Sequence, residues 1–142
     1  MKVSDIFFAV MTVTWVSVIG WAIWPIEPPI VYLPGDKVTP AIVKPGGVIT
    51  IHRNIQVHRE QQVTVIRTMV QGDCSQHCET VDLPSSSATL QVTPLRAQTR
   101  EVILPKAIDA GEWRIVYAYE WKDRIGRVHS EPIPVLTFTV VE

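Results

Sequence analysis

The chain lacks most of what marks an enzyme or a nucleic-acid binder. Its 142 residues contain no nucleophile-elbow pattern, no phosphate-cradling glycine loop and no paired metal-binding histidine motif, so hydrolysis, nucleotide chemistry and helix-borne zinc have no local signature. Charge of neither sign dominates. With 13 basic against 14 acidic residues and no run of like charge, composition asks for neither nucleic acid nor an anionic surface as partner. There is no internal repeat and no long low-complexity tract, and cysteine occurs only at positions 74 and 78.

What is present begins with residues 6–24, IFFAVMTVTWVSVIGWAIW, a run without charge or proline. At 1.5 Å per residue such a helix reaches roughly 28 Å, close to the ~30 Å hydrocarbon thickness of a bilayer. It reads as a single transmembrane anchor over residues 1–24. Trp15 lies within the run, and Trp21 and Trp24 crowd its C-terminal end, where indole rings favour headgroup depth. Thr12, Thr14 and Ser17 can return hydrogen bonds to the helix backbone. The alternatives are a cleaved signal peptide, for which Gly20-Trp21-Ala22 offers small residues at the inspected positions, or a buried helix. The run is longer than the usual signal core, Asp5 interrupts a purely positive leader, and no amphipathic face suits a soluble core. Lys2 flanks one end, whereas the first basic residues after Trp24 are Lys37 and Lys44, with Glu27 closer. That bias expects the N-terminus in the cytoplasm and the remaining chain outside it, in a periplasmic or virion-associated setting.

Residues 25–38 follow with Pro25, Pro28, Pro29 and Pro34, which break the helix and favour an extended stalk. Residues 39–142 then suffice for one domain. Short alternating segments between turn signals predict strands at 40–43, 48–57, 62–70, 79–83, 88–92, 101–104, 113–121 and 135–141. Turns are marked by Pro45-Gly46-Gly47, by Gln71-Gly72-Asp73 and by Asp109-Ala110-Gly111. The segment 113–121, WRIVYAYEW, puts Trp113, Ile115, Tyr117, Tyr119 and Trp121 on one face, as a central strand does. Pro132 and Pro134 are expected to delay pairing of the last strand until residue 135.

This order of short strands resembles the immunoglobulin-like and fibronectin-type sandwiches, above all in the unit Asp109-Ala110-Gly111-Glu112-Trp113-Arg114-Ile115 followed by a hairpin into 135–141. The resemblance implies an all-β fold, an antiparallel immunoglobulin-like β-sandwich behind one transmembrane helix. It departs from antibody domains in having no cysteine on the second and penultimate strands, so no inter-sheet disulfide is available. In size and style the chain also resembles small membrane-anchored accessory proteins of bacteria and bacteriophages.

Candidate chemistry is sparse. Cys74-Ser75-Gln76-His77-Cys78 is the one local constellation. Outside the cytoplasm a Cys74–Cys78 disulfide across a tight turn is the leading reading. Free thiols are a second, and a metal held by Cys74, His77, Cys78 and a distant histidine such as His129 is a third, although the spacing is not a usual zinc pattern. His52, His58 and His129 stand apart, as structural histidines do. No catalytic residue, metal or cofactor is therefore expected. Exposed loops carry binding in such domains, which makes His77 and the charged hairpin residues Lys122, Asp123, Arg124 and Arg127 the binding-loop candidates. The expected function is a non-catalytic, membrane-anchored protein-interaction module with an unidentified protein partner. A structural subunit of a larger membrane or virion assembly is the alternative, and a metal-binding or hydrolytic protein the second.

Overall fold

The computed structural model describes residues 3–24, 26–72 and 79–142. The chain opens with helix α1, Val3–Ile23, starting three residues before the apolar run and ending one before its last tryptophan. Asp5 in its first turn complements the positive end of the helix dipole. The Thr12 and Thr14 hydroxyls donate to the carbonyls of Phe8 and Val10, each at 2.8 Å. These bonds satisfy both hydroxyls within the helix, and no side chain of α1 is buried. With 21 residues it is long and apolar enough to cross a membrane.

Among the described residues eight strands follow: β1 Ile30–Thr39, β2 Ile42–Val43, β3 Val48–Val57, β4 Gln61–Gln71, β5 Thr80–Leu90, β6 Thr93–Ile103, β7 Gly111–Lys122 and β8 Val128–Val140. They form a three-stranded sheet in the order β1-β3-β6 and a five-stranded sheet in the order β2-β8-β7-β4-β5. Pairing is antiparallel except where the two-residue β2 lies parallel to the end of β8. The second sheet is thus mixed, against the expectation of purely antiparallel pairing. The cause is local: β2 follows β1 after only two residues, and Thr139 and Val141 donate backbone hydrogen bonds to Ala41 and Val43.

Alternation builds the core. Trp113, Ile115, Tyr117, Tyr119 and Trp121 of β7 are all buried, as are Ile49, Ile51, Ile55 and Val57 of β3. Both sheets contribute to one apolar cluster that also takes Met69, Leu104, Phe138 and Val140. Polar links also tie the layers. Tyr119 Oη of β7 donates to the Ile30 carbonyl of β1 at 3.1 Å, and Arg53 Nη2 of β3 donates to the Pro134 carbonyl of β8 at 3.0 Å.

Several elements differ from the sequence reading, each for a physical reason. Residues 30–38, assigned by their prolines to a spacer, form β1. Extended geometry serves an edge strand equally well, and Ile30 and Val38 are buried in the core. Pro34 is accommodated where the register shifts between Leu33 and Lys37. There Gly35 adopts φ +106°, a value that side-chain-bearing residues resist. Segments 79–83 and 88–92 are one strand, β5, because Pro84 and Ser85 sit in a bulge opposite β4 rather than in a turn. The last strand begins at Val128 instead of 135. Pro132 and Pro134 are tolerated because β2 covers only Thr139 and Val140, leaving the outer edge of β8 free around them. Finally, β6 starts eight residues before the predicted 101.

Candidate functional site

The side chain at odds with its surroundings is Arg67. On β4 the core-facing positions are Val63, Val65, Arg67 and Met69, so a cation occupies a place where periodicity calls for an apolar residue. Only 7% of Arg67 is exposed. Nη1 donates to the Pro84 carbonyl at 2.8 Å and Nη2 to Ser86 Oγ at 2.6 Å. The first acceptor lies in the bulge of β5, and the second is the residue at which that strand returns to register opposite Val65. Among the described residues no carboxylate pairs with it. Burial, and then the charge of Arg100, hold the Arg67 pKa below its ordinary value. Arg53 makes the contrast plain. It is equally buried, but Asp36 neutralises it through a 2.6 Å ion pair while also accepting from the Asn54 amide.

Facing Arg67 across the gap between the sheets is β6, whose pattern is inverted. Its register with β3 sets Arg96, Gln98, Arg100 and Val102 opposite the buried Ile55, Arg53, Ile51 and Ile49. Three polar side chains therefore lie on the inner face, while Leu95 and Ile103 are exposed. Arg100 Nη1 reaches the same Ser86 hydroxyl at 3.5 Å. Two guanidinium groups thus converge on one neutral oxygen. The opposing β5 positions are the small Ser86 and Ala88, and the result is a cleft of about 460 Å³ with an apolar floor that includes Ile55, Val63 and Leu90. A smaller inner cavity of about 70 Å³ continues it and is lined by Tyr32, Arg53, Arg67, Arg100 and Tyr117. The buried Tyr117 hydroxyl has no hydrogen-bond partner among the described residues. Burial raises its pKa against the opposing pull of Arg53, Arg67 and Arg100, so the phenol is a proton donor at neutral pH.

The binding-loop candidates Lys122, Asp123, Arg124 and Arg127 lie elsewhere, at the β7–β8 hairpin. Asp123, with no exposed side-chain surface, organises that turn. Its carboxylate accepts from the Ile125 and Arg127 amides at 3.0 and 2.9 Å, from Arg127 Nε at 2.6 Å and pairs with His129 Nε2 at 3.0 Å. Desolvation pushes its pKa up, but the bonds from His129, Arg127 and the two backbone amides outweigh it and hold the carboxyl well below the usual carboxylate range. Asp123 is therefore a turn-former. His129 also stacks on Trp121 with ring centroids 4.4 Å apart, which uses it structurally.

The same hairpin meets the end of α1. Arg127 Nη2 donates to the Ala22 carbonyl at 3.0 Å, and the Arg124 guanidinium lies 4.9 Å from the Trp21 ring centroid. A last-turn carbonyl with no partner inside the helix gains a cationic donor, as helix C-termini favour. Arg59, over the Trp121 ring at 4.7 Å, and Lys122 border the same junction beside Ile26. Three basic residues of the hairpin and the distant Arg59 are thus gathered where the apolar helix ends. Trp15 and Trp24 are exposed along with Trp21.

Cys74, His77 and Cys78, with the expected disulfide and its metal alternative, fall outside the described residues. Among the described residues no three His, Cys, Asp or Glu side chains cluster as metal ligands do. His52 bonds the Thr39 hydroxyl at 2.7 Å. The hairpin set was legible in the sequence, whereas the cleft set of Arg67, Arg96, Arg100 and Tyr117 was not. Its signals were an arginine at an apolar parity on β4 and charges on the inner parity of β6, and the second can be read only once the register with β3 is known.

No known family matches the chain, and no curated protein matches it in sequence. Solved structures match in fold. The C-terminal domain of wzt superposes with a TM-score of 0.53 at 6% identity, covering 82% of this chain and 75% of that one. An alkylpurine DNA glycosylase, AlkC of Pseudomonas fluorescens, bound to DNA with an abasic-site analogue, gives 0.52 at 15% identity. That match covers 80% of this chain but only 31% of the glycosylase. At such identities the likeness is of fold alone.

Proposed function

We propose that the protein is a membrane-anchored, non-catalytic binding module: an immunoglobulin-like β-sandwich held outside the cytoplasm on one retained transmembrane helix, contacting another protein. The observation that carries this reading is α1 itself. A 21-residue apolar helix without a single buried side chain leaves a surface that water does not tolerate and a bilayer does. The hairpin supports it from the other side, since Arg124 and Arg127 grip the end of that helix. Arg59, Lys122, Arg124 and Arg127 would then lie at headgroup depth beside Trp21 and Trp24, where cations and indoles are at home. These arginines and Lys122 do not conflict with the expected orientation, because insertion reads basic residues close to the span in sequence. The nearest of the four is Arg59. The two-sheet architecture with loops at its ends suits recognition of a protein partner.

Alkaline carbonate extraction of the full chain, followed by intact-mass analysis, tests the anchor. Retention in the membrane pellet at the uncleaved mass is expected; release, or a mature start near Ile23, overturns it. Photo-crosslinking in intact cells from Ile125 and Ala88 tests the binding role. Discrete adducts with a second protein are expected. A ladder of self-adducts, with a defined oligomer surviving detergent, would replace the module by a subunit of a larger assembly.

A further inference from the structure

We infer that the cleft between β5 and β6 is a binding site for a short extended segment of a partner protein, one that presents an acidic side chain between apolar ones. The inference rests on the protein-interaction reading and names the surface and the chemistry of the partner. Three observations carry it. First, Arg67 and Arg100 share only the neutral Ser86 hydroxyl, at 2.6 and 3.5 Å, and Arg67 is buried without a carboxylate among the described residues. Desolvating a guanidinium beside a second one is unfavourable unless a negative group joins them, and a carboxylate accepting from both offsets that cost. Second, Tyr117 supplies a buried hydroxyl without a partner in the adjoining cavity, a donor ready for the second oxygen of a carboxylate or for a bound water. Arg53 borders the same cavity, but Asp36 already neutralises it, so the unmet positive charge is that of Arg67, Arg100 and, at the mouth, Arg96.

The third observation selects a peptide over a free anion. The cleft is far larger than one phosphate or carboxylate, and its floor of Ile55, Val63 and Leu90 is apolar. Its flanks are β5 and β6, each the last strand of its sheet. Their free backbone edges can take main-chain hydrogen bonds from an added extended segment, while alternate side chains enter the cleft. Apolar side chains would meet the floor and a Glu or Asp would meet the arginines.

The test uses the full chain in detergent micelles and two eight-residue probe peptides, acetyl-Thr-Val-Thr-Glu-Thr-Val-Thr-Val-amide, which sets the acid and the valines on one face of an extended strand, and the same peptide with Gln for Glu, with inorganic phosphate as a third titrant, followed by calorimetry. The Glu peptide is expected to bind at least about tenfold more tightly than the Gln peptide and to weaken with salt, since a charge-assisted pair contributes more than a neutral one. R100Q, an exposed rim variant, should lower the affinity for the Glu peptide by about tenfold with an unchanged melting curve. R67Q should do the same, and if it fails to fold R100Q and A88W, which fills the cleft, remain decisive. Equal binding of the two peptides, phosphate binding without peptide binding, or an R100Q variant indistinguishable from the parent overturns the assignment. Crosslinks to a second protein from Ile125 but none from Ala88 would sink the cleft while leaving the interaction reading intact. Absence of adducts from both would sink the two together.

Discussion

Arg53 and Arg67 show how one residue type in one environment comes to serve two ends. Both guanidinium groups are buried and stand near the Tyr117 ring, at 4.7 and 5.8 Å, yet among the described residues only Arg53 has a carboxylate. Removing that carboxylate strands a buried charge, so Asp36→Ala is expected to destabilise the fold by about 3–5 kcal/mol in denaturant melts. Trp113 tests the core. It is fully buried, with its indole N–H donating to the Asp109 carbonyl at 2.9 Å, and Trp113→Ala should cost about 3–5 kcal/mol. Wild-type stability in that variant would remove β7 from the centre of the domain. Tyr119→Phe isolates the inter-sheet bond to Ile30 and should cost about 1–3 kcal/mol, the penalty of leaving a buried carbonyl unpaired. The Tyr119 pKa is pushed up to about 12, by burial first and then by Glu131, so this bond is intact throughout the neutral range.

Among the elements, the β7–β8 hairpin responds most directly to pH. The folded pKa of Asp123 is depressed, so its contribution is fully present above the unfolded carboxylate value of about 3.9 and is lost as pH falls through the lower folded value. Protection of the Ile125 and Arg127 amides against exchange, taken relative to the unstructured rate at each pH, should therefore hold above about pH 4 and fall only in stronger acid. A fall in protection already between pH 7 and 5 would show that Asp123 does not hold the turn. Asp123→Asn should loosen the grip on α1 as well, since Arg127 is oriented by the same carboxylate that it bonds. The strands that were hardest to foresee are edge elements. β1 and β6 have little of the two-residue alternation that made β7 legible, because an edge strand buries less of either face and prolines fit its open side.

For the molecule as a whole, the sheets meet helix α1 through charged side chains: a carbonyl and an indole of α1 meet two arginines of the hairpin. Orientation can be read from Cys74 and Cys78 with a membrane-impermeant maleimide on intact cells. Labelling only after external reduction is expected for an extracytoplasmic domain with a disulfide. Labelling only after lysis, without reductant, would place the domain in the cytoplasm.

The sequence by itself determined the apolar helix, the β-rich character of the rest and the central aromatic strand. Each is written in a period that neighbouring residues carry: an unbroken run for α1 and alternation for β7. It also marked the charged hairpin, because Asp123 forms its turn from residues within six positions. Only tertiary structure decided the rest. Converting the stalk into β1 took pairing with β3, and gathering Arg59 with Lys122 and Arg124 beside the helix took the closure of the sheets. The cleft took both sheets at once, since Arg67 and Arg100, 33 positions apart, meet at Ser86 only where a bulge in β5 faces an inverted β6. Contacts of that kind depend on register, which is settled by the packing of the whole core rather than by any single strand.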